Sequence, residues 1–440
     1  MLEWARFRKY ARRMRELSEF GTLDPLSSEV FPVLQLYAIR EPMFPNLKTL
    51  GLWSVSGKSV PFIPLFFSPR IIAINIAFIR SDSPAAMVAP MVAAVPTLCP
   101  NLQEILLGSL PREPMITSAA SEMLIANSRN ALRTVFVNSP LTEEAYEVIF
   151  KHPDLRELSV TIERDTSFPS VVFSNLTRLI INYDNDNDWL RMFHGATFGK
   201  LEVVTFFSES EQIGDFLGAF ERVALAASFQ NTLTRFHFRT SCSWDPDYSS
   251  LLRFTRLADL EIGFSCDDGC SSTVDDDIIT NLAQAMPKLE SLRLGDPPCR
   301  EIPIGVTVKG LVALASHCPD LGFLQIHFQV ASLITPPVIH RPAPHARSTA
   351  PRRDCGFGNL DVGEIPMPED SVWIVALTLA RIFPDLECID YIDKNWQKVE
   401  DSICLSRQIV DVSGRECHLS TLRSNLSDTL SPGAALENDD

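Results

Sequence analysis

HPDLRELSV, which runs from His152 to Val160, carries the pattern that organises the whole chain. It consists of a proline, a polar residue and LxxLxL, and it returns in MPKLESLRL, CPDLGFLQI and FPDLECIDY, which begin at Met286, Cys318 and Phe383. Less regular copies are FPNLKTLGL, CPNLQEILL, RNALRTVFV, FSNLTRLII, FGKLEVVTF, QNTLTRFHF and FTRLADLEI, with a degenerate first copy RRMRELSEF and a weaker candidate PRIIAINI. A motif that recurs in this way indicates a stack of similar units.

The spacing of the copies is that of leucine-rich repeats. The first leucines of the clear copies are Leu47, Leu102, Leu132, Leu155, Leu176, Leu201, Leu233, Leu257, Leu289, Leu321 and Leu386. From Leu102 to Leu321 the steps range from 21 to 32 residues, which matches or slightly exceeds the length of such repeats. We therefore predict an α/β leucine-rich-repeat solenoid of about 12 or 13 irregular repeats. It is a curved horseshoe with parallel strands on the concave face and helices on the convex face.

The repeat also predicts which side chains are buried. In the first quoted copy, Leu155, Leu158 and Val160 point into the solenoid interior, because alternate residues of a strand face opposite sides. The residues expected on the concave surface are Glu157, Ser159 and Thr161. Segments with helical spacing of apolar residues precede several strands, at Thr142 to Lys151, Ile278 to Met286, Leu311 to His317 and Val372 to Phe383.

Two segments depart from the repeat. Residues 335–369, which include PPVIHRPAPHARSTAPRRD, are rich in Pro, Arg and Gly and predict a flexible loop that replaces one repeat. The solenoid is therefore expected over residues 1–411, with a mostly disordered, polar and acidic tail at 412–440. Terminal strands within Asp390 to Leu419 are expected to cover the last repeat.

Charge and cysteine content limit the compartment and the partners. The formal charge is −16, from 55 acidic and 39 basic side chains, and such a surface repels nucleic acid. The basic residues Arg6, Arg8, Lys9, Arg12, Arg13 and Arg15 lie on or beside a predicted first helix and are interpreted as solvated. The ten cysteines form no CxxC pair, no secretory signal opens the chain, and prolines interrupt the apolar stretch Val60 to Ile79. We expect a cytoplasmic or nuclear protein with reduced thiols and no membrane span.

Two acidic segments resemble metal-binding sites in part, but each lacks residues that such a site needs. Asp184, Asp186 and Asp188 have the spacing of a calcium loop, but Trp189 and Gly195 stand where Gly and Glu are needed. CDDGCSSTVDDD, from Cys266 to Asp277, lacks a second ligand pair at zinc spacing, so its last aspartates are interpreted as a helix cap. No catalytic motif occurs, and we expect no enzyme activity, cofactor or metal.

Four features of the sequence carry a family resemblance: the opening WARFRKYARRMRELS, the segment LDPLSSEVFPVLQL before FPNLKTLGLW, the irregular repeats and the late Pro-rich break. In these features the chain resembles the leucine-rich region of F-box proteins of mushroom-forming fungi. The likeness covers about Trp4 to Ile409. It implies that the repeats hold a protein substrate, while an F-box binds the Skp-type adaptor and cullin of a ubiquitin ligase. No F-box is visible before the first repeat, so adaptor and cullin binding are expected only if one is encoded upstream.

The concave strand face is therefore the predicted partner-binding surface of a monomer. The inter-leucine residues assigned to it are Trp53, Phe136, Glu157, Arg235, His237, Arg239, Glu261, Arg293, Phe323 and His327. For each residue the alternative is a solvated strand position that contacts no partner. Two other functions stay open, namely a free-standing scaffold or inhibitor without a ligase role, and a small-molecule sensor with a pocket inside the curve.

Overall fold

The computed structural model describes most of the chain between Leu2 and Ser413. The described residues are 2–22, 33–36, 42–55, 58–76, 85–108, 113–127, 132–163, 168, 170–183, 189–208, 213–240, 246–264, 274–295, 305–334, 358–363, 365–391 and 393–413. The strands are β1 (Glu16–Thr22), β2 (Thr49–Ser54), β3 (Ala73–Ile76), β4 (Glu104–Leu107), β5 (Thr134–Val137), β6 (Glu157–Ile162), β7 (Val172–Phe173), β8 (Arg178–Tyr183), β9 (Thr197–Phe198), β10 (Val203–Ser208), β11 (Arg235–Thr240), β12 (Asp259–Phe264), β13 (Ser291–Leu294), β14 (Phe323–Ile326), β15 (Asn359–Gly363) and β16 (Cys388–Tyr391).

Helices lie between many of these strands. They are α1 (Leu2–Ala11), α2 (Ala85–Leu98), α3 (Pro114–Ala126), α4 (Glu143–Phe150), α5 (Leu190–Phe193), α6 (Phe216–Ala226), α7 (Asp276–Ala285), α8 (Val308–His317), α9 (Val330–Ile334), α10 (Val372–Ile382) and α11 (Lys394–Ser413), with 3-10 helices at Val60–Phe66, Tyr248–Arg253 and Glu369–Ser371. The four quoted helical segments all contain helices, at α4, α7, α8 and α10, which confirms those predictions.

The strands form one large parallel sheet. Its order is β1-β2-β3-β4-β5-β6-β8-β10-β11-β12-β13-β14-β15-β16, so each strand pairs with the next one along the chain apart from β7 and β9. Those two strands form a second, two-stranded parallel sheet in the connections that flank β8. The result is an α/β architecture in which one strand and its connection make one unit and successive units lie side by side.

A backbone ladder shows that the units share one local geometry although their lengths differ. In each step, the carbonyl of the residue immediately before a strand accepts two amides from the next unit. Gln103 O, for example, accepts from the amides of Arg133 and Thr134 at 2.8 and 3.3 Å. Gly322 O makes the same pair of bonds to the β15 unit, both at 3.0 Å. Variable connections are therefore tolerated because the paired positions do not change.

The core follows the leucine pattern. All of the first leucines named above are buried, with at most 3 % of their surface exposed. Leu158 and Val160 of β6 are also buried, as predicted. Helix α4 shows how the connections cover this core: Thr142 caps its first turn and its buried Tyr146 donates a hydrogen bond to Thr161 O at 2.8 Å. Burial of apolar side chains between strand and helix stabilises each unit only when its neighbours are present.

One carboxylate links two adjacent helices. Asp276, in the first turn of α7, accepts hydrogen bonds from Thr307 N at 2.7 Å, Thr307 Oγ1 at 2.6 Å and Gly310 N at 3.0 Å. These donors lie at the start of α8, where backbone amides have no intrahelical partner. Asp275 caps α7 itself by accepting from Asp277 N and Ile278 N, which confirms the predicted capping role of these aspartates.

The segment predicted as a loop at 335–369 contains a strand, and that part of the prediction is wrong. Strand β15 pairs with β14 and β16, and Leu360 and Val362 alternate into the core. Ile365 and Met367 are buried after the strand. The repeat motif does not identify this unit, because GNLDV lacks the proline and first leucine of the other copies. Residues 335–357 lie outside the described residues.

The C-terminal region also differs from its prediction. After β16, the segment expected to form terminal strands is instead helix α11, which crosses the expected boundary at 411/412. Trp396, Val399 and Ile403 are buried and have the spacing of one helical face. Glu400 on the same helix accepts from Ile389 N of the last strand at 3.4 Å. The helix therefore covers the end of the sheet. The tail from 414 onward lies outside the described residues.

Candidate functional site

The side of the sheet opposite the buried leucines is here called the open face. Strand register aligns one residue from each of the neighbouring strands in its central row, which runs Gly51, Asn75, Leu106, Phe136, Ser159, Ile180, Thr205, His237, Glu261, Arg293, Gln325, Asp361 and Asp390. The row is uncharged as far as β10 and ionisable from β11 onward, apart from Gln325. The open face therefore has two chemically different parts.

The residues predicted to bind a partner are distributed over this face. Phe136, His237, Glu261 and Arg293 lie in the central row. Glu157, Arg235 and Phe323 lie in the parallel row two residues earlier, and Arg239 and His327 lie two residues after the central row. Trp53 belongs to β2, but its side chain lies outside the described part of the structure.

Strand β11, RFHFRT, concentrates positive charge on the open face. Phe236 and Phe238 are fully buried and alternate with Arg235, His237 and Arg239. The two arginines are exposed and the histidine is half-buried. Beneath them, Phe238 packs against the aromatic core of the α6 unit, and its ring centroid lies 4.3 Å from that of Phe216. The aromatic residues hold the strand, and the alternation places three basic side chains on one side.

A buried carboxylate orients two of the arginines. Glu261 of β12 is only 8 % exposed at its side chain, and its Oε1 accepts from Arg239 Nε. Its Oε2 lies 3.3 Å from Arg293 Nη1 of β13. The arginines are 55 % and 38 % exposed, so each has one edge on Glu261 and remains partly accessible to solvent. Charge-assisted bonds of this kind restrict the rotamers of long side chains.

A contact between a histidine and a second carboxylate lies next to these bonds. His237 Nε2 is 3.0 Å from Asp259 Oδ2. Burial raises the pKa of Asp259, but hydrogen bonds from His237 and Ser291 and the nearby charges of His237 and Arg293 outweigh it, so the pKa lies below its ordinary value. The carboxylate is therefore held ionised by its neighbours.

Contacts and charges connect His237, Asp259, Arg239, Glu261 and Arg293. Exposed Arg235 lies beside them, in register with Asp259. We call these six residues the charge cluster. Aromatic rings flank it on both sides. Arg293 Cζ lies 4.4 Å from the centroid of the Phe323 ring, within the range of a cation–π contact. Phe207, paired in register with Arg239, is 38 % exposed. The cluster thus combines fixed positive groups with accessible aromatic surface.

The part of the open face whose central row is uncharged is more closed than the sequence predicts. Ser159 and Thr161, expected to be displayed, are 6 % and 2 % exposed, so that expectation is wrong. Asn182 Nδ2 donates to Ser159 Oγ at 3.3 Å, and Arg178 reaches across to the Phe136 ring, 5.7 Å from its centroid. Short side chains between longer ones are covered by their cross-strand neighbours.

Sequence reasoning missed Asp259 and Phe207, although both occupy inter-leucine positions. The signal that finds them is strand register, which pairs Asp259 with Arg235 and Phe207 with Arg239. Register depends on how the copies align across variable connections, and a single motif does not specify it.

Within the described ranges, no group of three or more His, Cys, Asp or Glu side chains is placed to hold a metal ion. None of the helices described has both the length and the apolar character needed to span a bilayer. Of the cysteines with a described position, Cys99, Cys318, Cys388 and Cys404 are unpaired. The two segments considered for calcium and zinc, 184–188 and 266–273, lie outside the described residues.

A comparison of the sequence with protein-family models gave no match, and a comparison with curated proteins gave none either.

Proposed function

We propose that the chain is a leucine-rich-repeat solenoid that recognises another protein with its open face and contributes no catalytic group. The observation that supports this most is the charge cluster, where the buried Glu261 carboxylate fixes two partly exposed arginines between aromatic rings. Arginine and aromatic side chains dominate the binding energy of protein interfaces. Fixed side chains also lose less conformational entropy when a partner binds.

We further propose that this surface selects the substrate of an F-box-type ubiquitin ligase. The support is the resemblance of the repeats and the N-terminal region to fungal F-box proteins. In this proposal the Skp-type adaptor and cullin bind an F-box in the natural gene product, and the repeats bind the protein to be ubiquitinated. The other protein-binding function that stays open is a free-standing scaffold or inhibitor that uses the same face without a ligase.

Site-specific photo-crosslinking tests the use of the open face. A photoreactive phenylalanine analogue replaces Phe323 on the open face or, as the matched control, Met115 on helix α3, which is 57 % exposed. Both variants are irradiated in a lysate of the organism that encodes the chain, and adducts are identified by mass spectrometry. We expect a discrete adduct from position 323 that competes with unlabelled chain. Equal adducts from both positions would contradict recognition through this face.

Purification of the full natural gene product tests the ligase part separately. We expect the Skp-type adaptor and a cullin to co-purify with it, in amounts unaffected by changes in the charge cluster. Their absence, with an open-face adduct still present, would leave the free-standing scaffold as the function.

A further inference from the structure

The charge cluster differs in sign from the rest of the protein. It contains three arginines against two carboxylates, whereas the whole chain carries −16, with histidine counted as neutral in both cases. At physiological ionic strength, charges beyond roughly 8 Å are largely screened, so a ligand at the cluster responds to these local groups. The local balance therefore favours an anion.

The geometry directs the free edges of the arginines outward. Arg239 binds Glu261 through Nε, the donor nearest its chain, so its two terminal nitrogens are the part left for a ligand. Arg235 lies two residues earlier on the same strand and is exposed. Side chains two residues apart on a strand are separated by roughly 7 Å. Both arginines are exposed, so the strand presents two guanidinium groups in a short line.

We infer that the charge cluster is a docking site for a short acidic segment of a partner protein. This inference rests on the proposed function and specifies the chemistry of the partner. Carboxylates of the segment bind Arg235 and Arg239, which can each form two parallel hydrogen bonds to a carboxylate. Apolar residues next to these carboxylates pack on Phe207 and Phe323, which flank the cluster.

The size and surroundings of the cluster favour a peptide over nucleic acid. From β11 to β13 it covers two strand spacings, roughly 10 Å, which is enough for a few carboxylates. Further along the central row stand Asp361 and Asp390, which repel a polyanion that continues past the cluster. A nucleic acid carries a phosphate on every nucleotide, and so short a patch contacts only a few of them, so the patch contributes little binding free energy.

Selection from a phage-displayed library of random short peptides tests the inference. The whole chain is the target, alongside Arg235→Gln/Arg239→Gln and the matched control Arg156→Gln/Arg381→Gln, in which both changes remove exposed charges outside the charge cluster. Glutamine keeps a donor for Glu261, and circular dichroism checks that each variant is folded. Enriched peptides are then synthesised with their Asp and Glu residues either kept or replaced by Asn and Gln.

We expect the enriched peptides to be rich in Asp and Glu. They should bind the Arg235/Arg239 variant at least roughly tenfold more weakly than the control variant. They should also lose affinity for the unchanged chain when their Asp and Glu residues are replaced by Asn and Gln. Peptides without acidic residues, or equal binding to both variants, would overturn the inference, while the crosslinking result would still stand for the proposed function. A labelled oligouridylate serves as the nucleic-acid probe. If it binds at physiological salt and needs the same arginines, the site is a nucleic-acid site and the inference fails.

Discussion

Replacing Glu261 with glutamine removes the negative charge that joins Arg239 to Arg293. At 3.3 Å and an effective dielectric constant of about 20, one such pair attracts by about 5 kcal/mol before desolvation. The arginines are 55 % and 38 % exposed, so water replaces part of this interaction when the carboxylate is lost. The expected cost therefore lies between that of an exposed pair and that of a buried pair. We expect Glu261→Gln to lower the free energy of unfolding by about 1–3 kcal/mol.

Hydrogen exchange of the amides in β11 to β13 measures this cost where it arises, because stacked units are coupled mainly to their neighbours. A loss near 1.4 kcal/mol means exchange about tenfold faster. Glu290→Gln, an exposed glutamate at the start of the neighbouring unit, is the matched control and should change little. A double-mutant cycle with Arg239→Gln should show a coupling above about 0.5 kcal/mol. If Glu261→Gln exchanges like the control, the carboxylate does not hold the arginines and the argument for a fixed cluster fails.

Three further predictions concern other parts of the molecule. Asp276→Ala should lower the free energy of unfolding by about 2–3 kcal/mol, because its charge-assisted hydrogen bonds to helix α8 are lost. The adjacent, exposed Asp277→Ala is the control and should lower it by well under half of that amount. Chemical denaturation measures both values. The pKa of Asp259 is lowered in the folded state, so its stabilising effect is complete above the ordinary aspartate pKa and is lost as the pH falls through the folded-state value. A pH series of unfolding should therefore show a weaker acid dependence for Asp259→Asn than for wild type, and identical curves would refute this. Burial raises the pKa of the Cys99 thiol to about 12, so iodoacetamide at neutral pH should label exposed Cys404 first and Cys99 only after unfolding, as read by peptide mass spectrometry.

Much of the fold can be predicted from the leucines because they set both burial and pairing. Each first leucine fills the same core position, and the strand that follows bonds to the unit before it. The β15 unit could not be predicted in this way, because Leu360 and Val362 alone do not make the full motif. Helix α11 was also not predicted. Its buried Trp396 and Val399 lie among polar residues, and this pattern of apolar and polar residues fits a terminal strand as well as it fits a helix.

The candidate site was only partly predictable. Alternation in RFHFRT places Arg235, His237 and Arg239 on one face, and a sequence is sufficient for that step. The aligned repeat copies place Glu261 in register with His237 and Arg293, but its carboxylate also bonds Arg239 on the diagonal. That contact depends on side-chain rotamers, which the sequence does not specify. Glu261 was therefore expected as an exposed contact residue, while the structure buries it as the group that positions its neighbours.

Helix α11 determines how other chains can approach the last strand. The edge of a parallel sheet normally offers a line of unpaired amides and carbonyls, onto which an extended segment can add as a further strand. At β16 the Ile389 amide is already bound to Glu400, and Trp396 is buried behind it with its indole nitrogen donating to Ile365 O at 2.7 Å. Addition of a strand at this edge would require helix α11 to dissociate from the sheet, which would expose Trp396 to solvent. The molecule is thus protected here against sheet-to-sheet association between copies, and a partner that binds without unfolding it meets side chains rather than backbone.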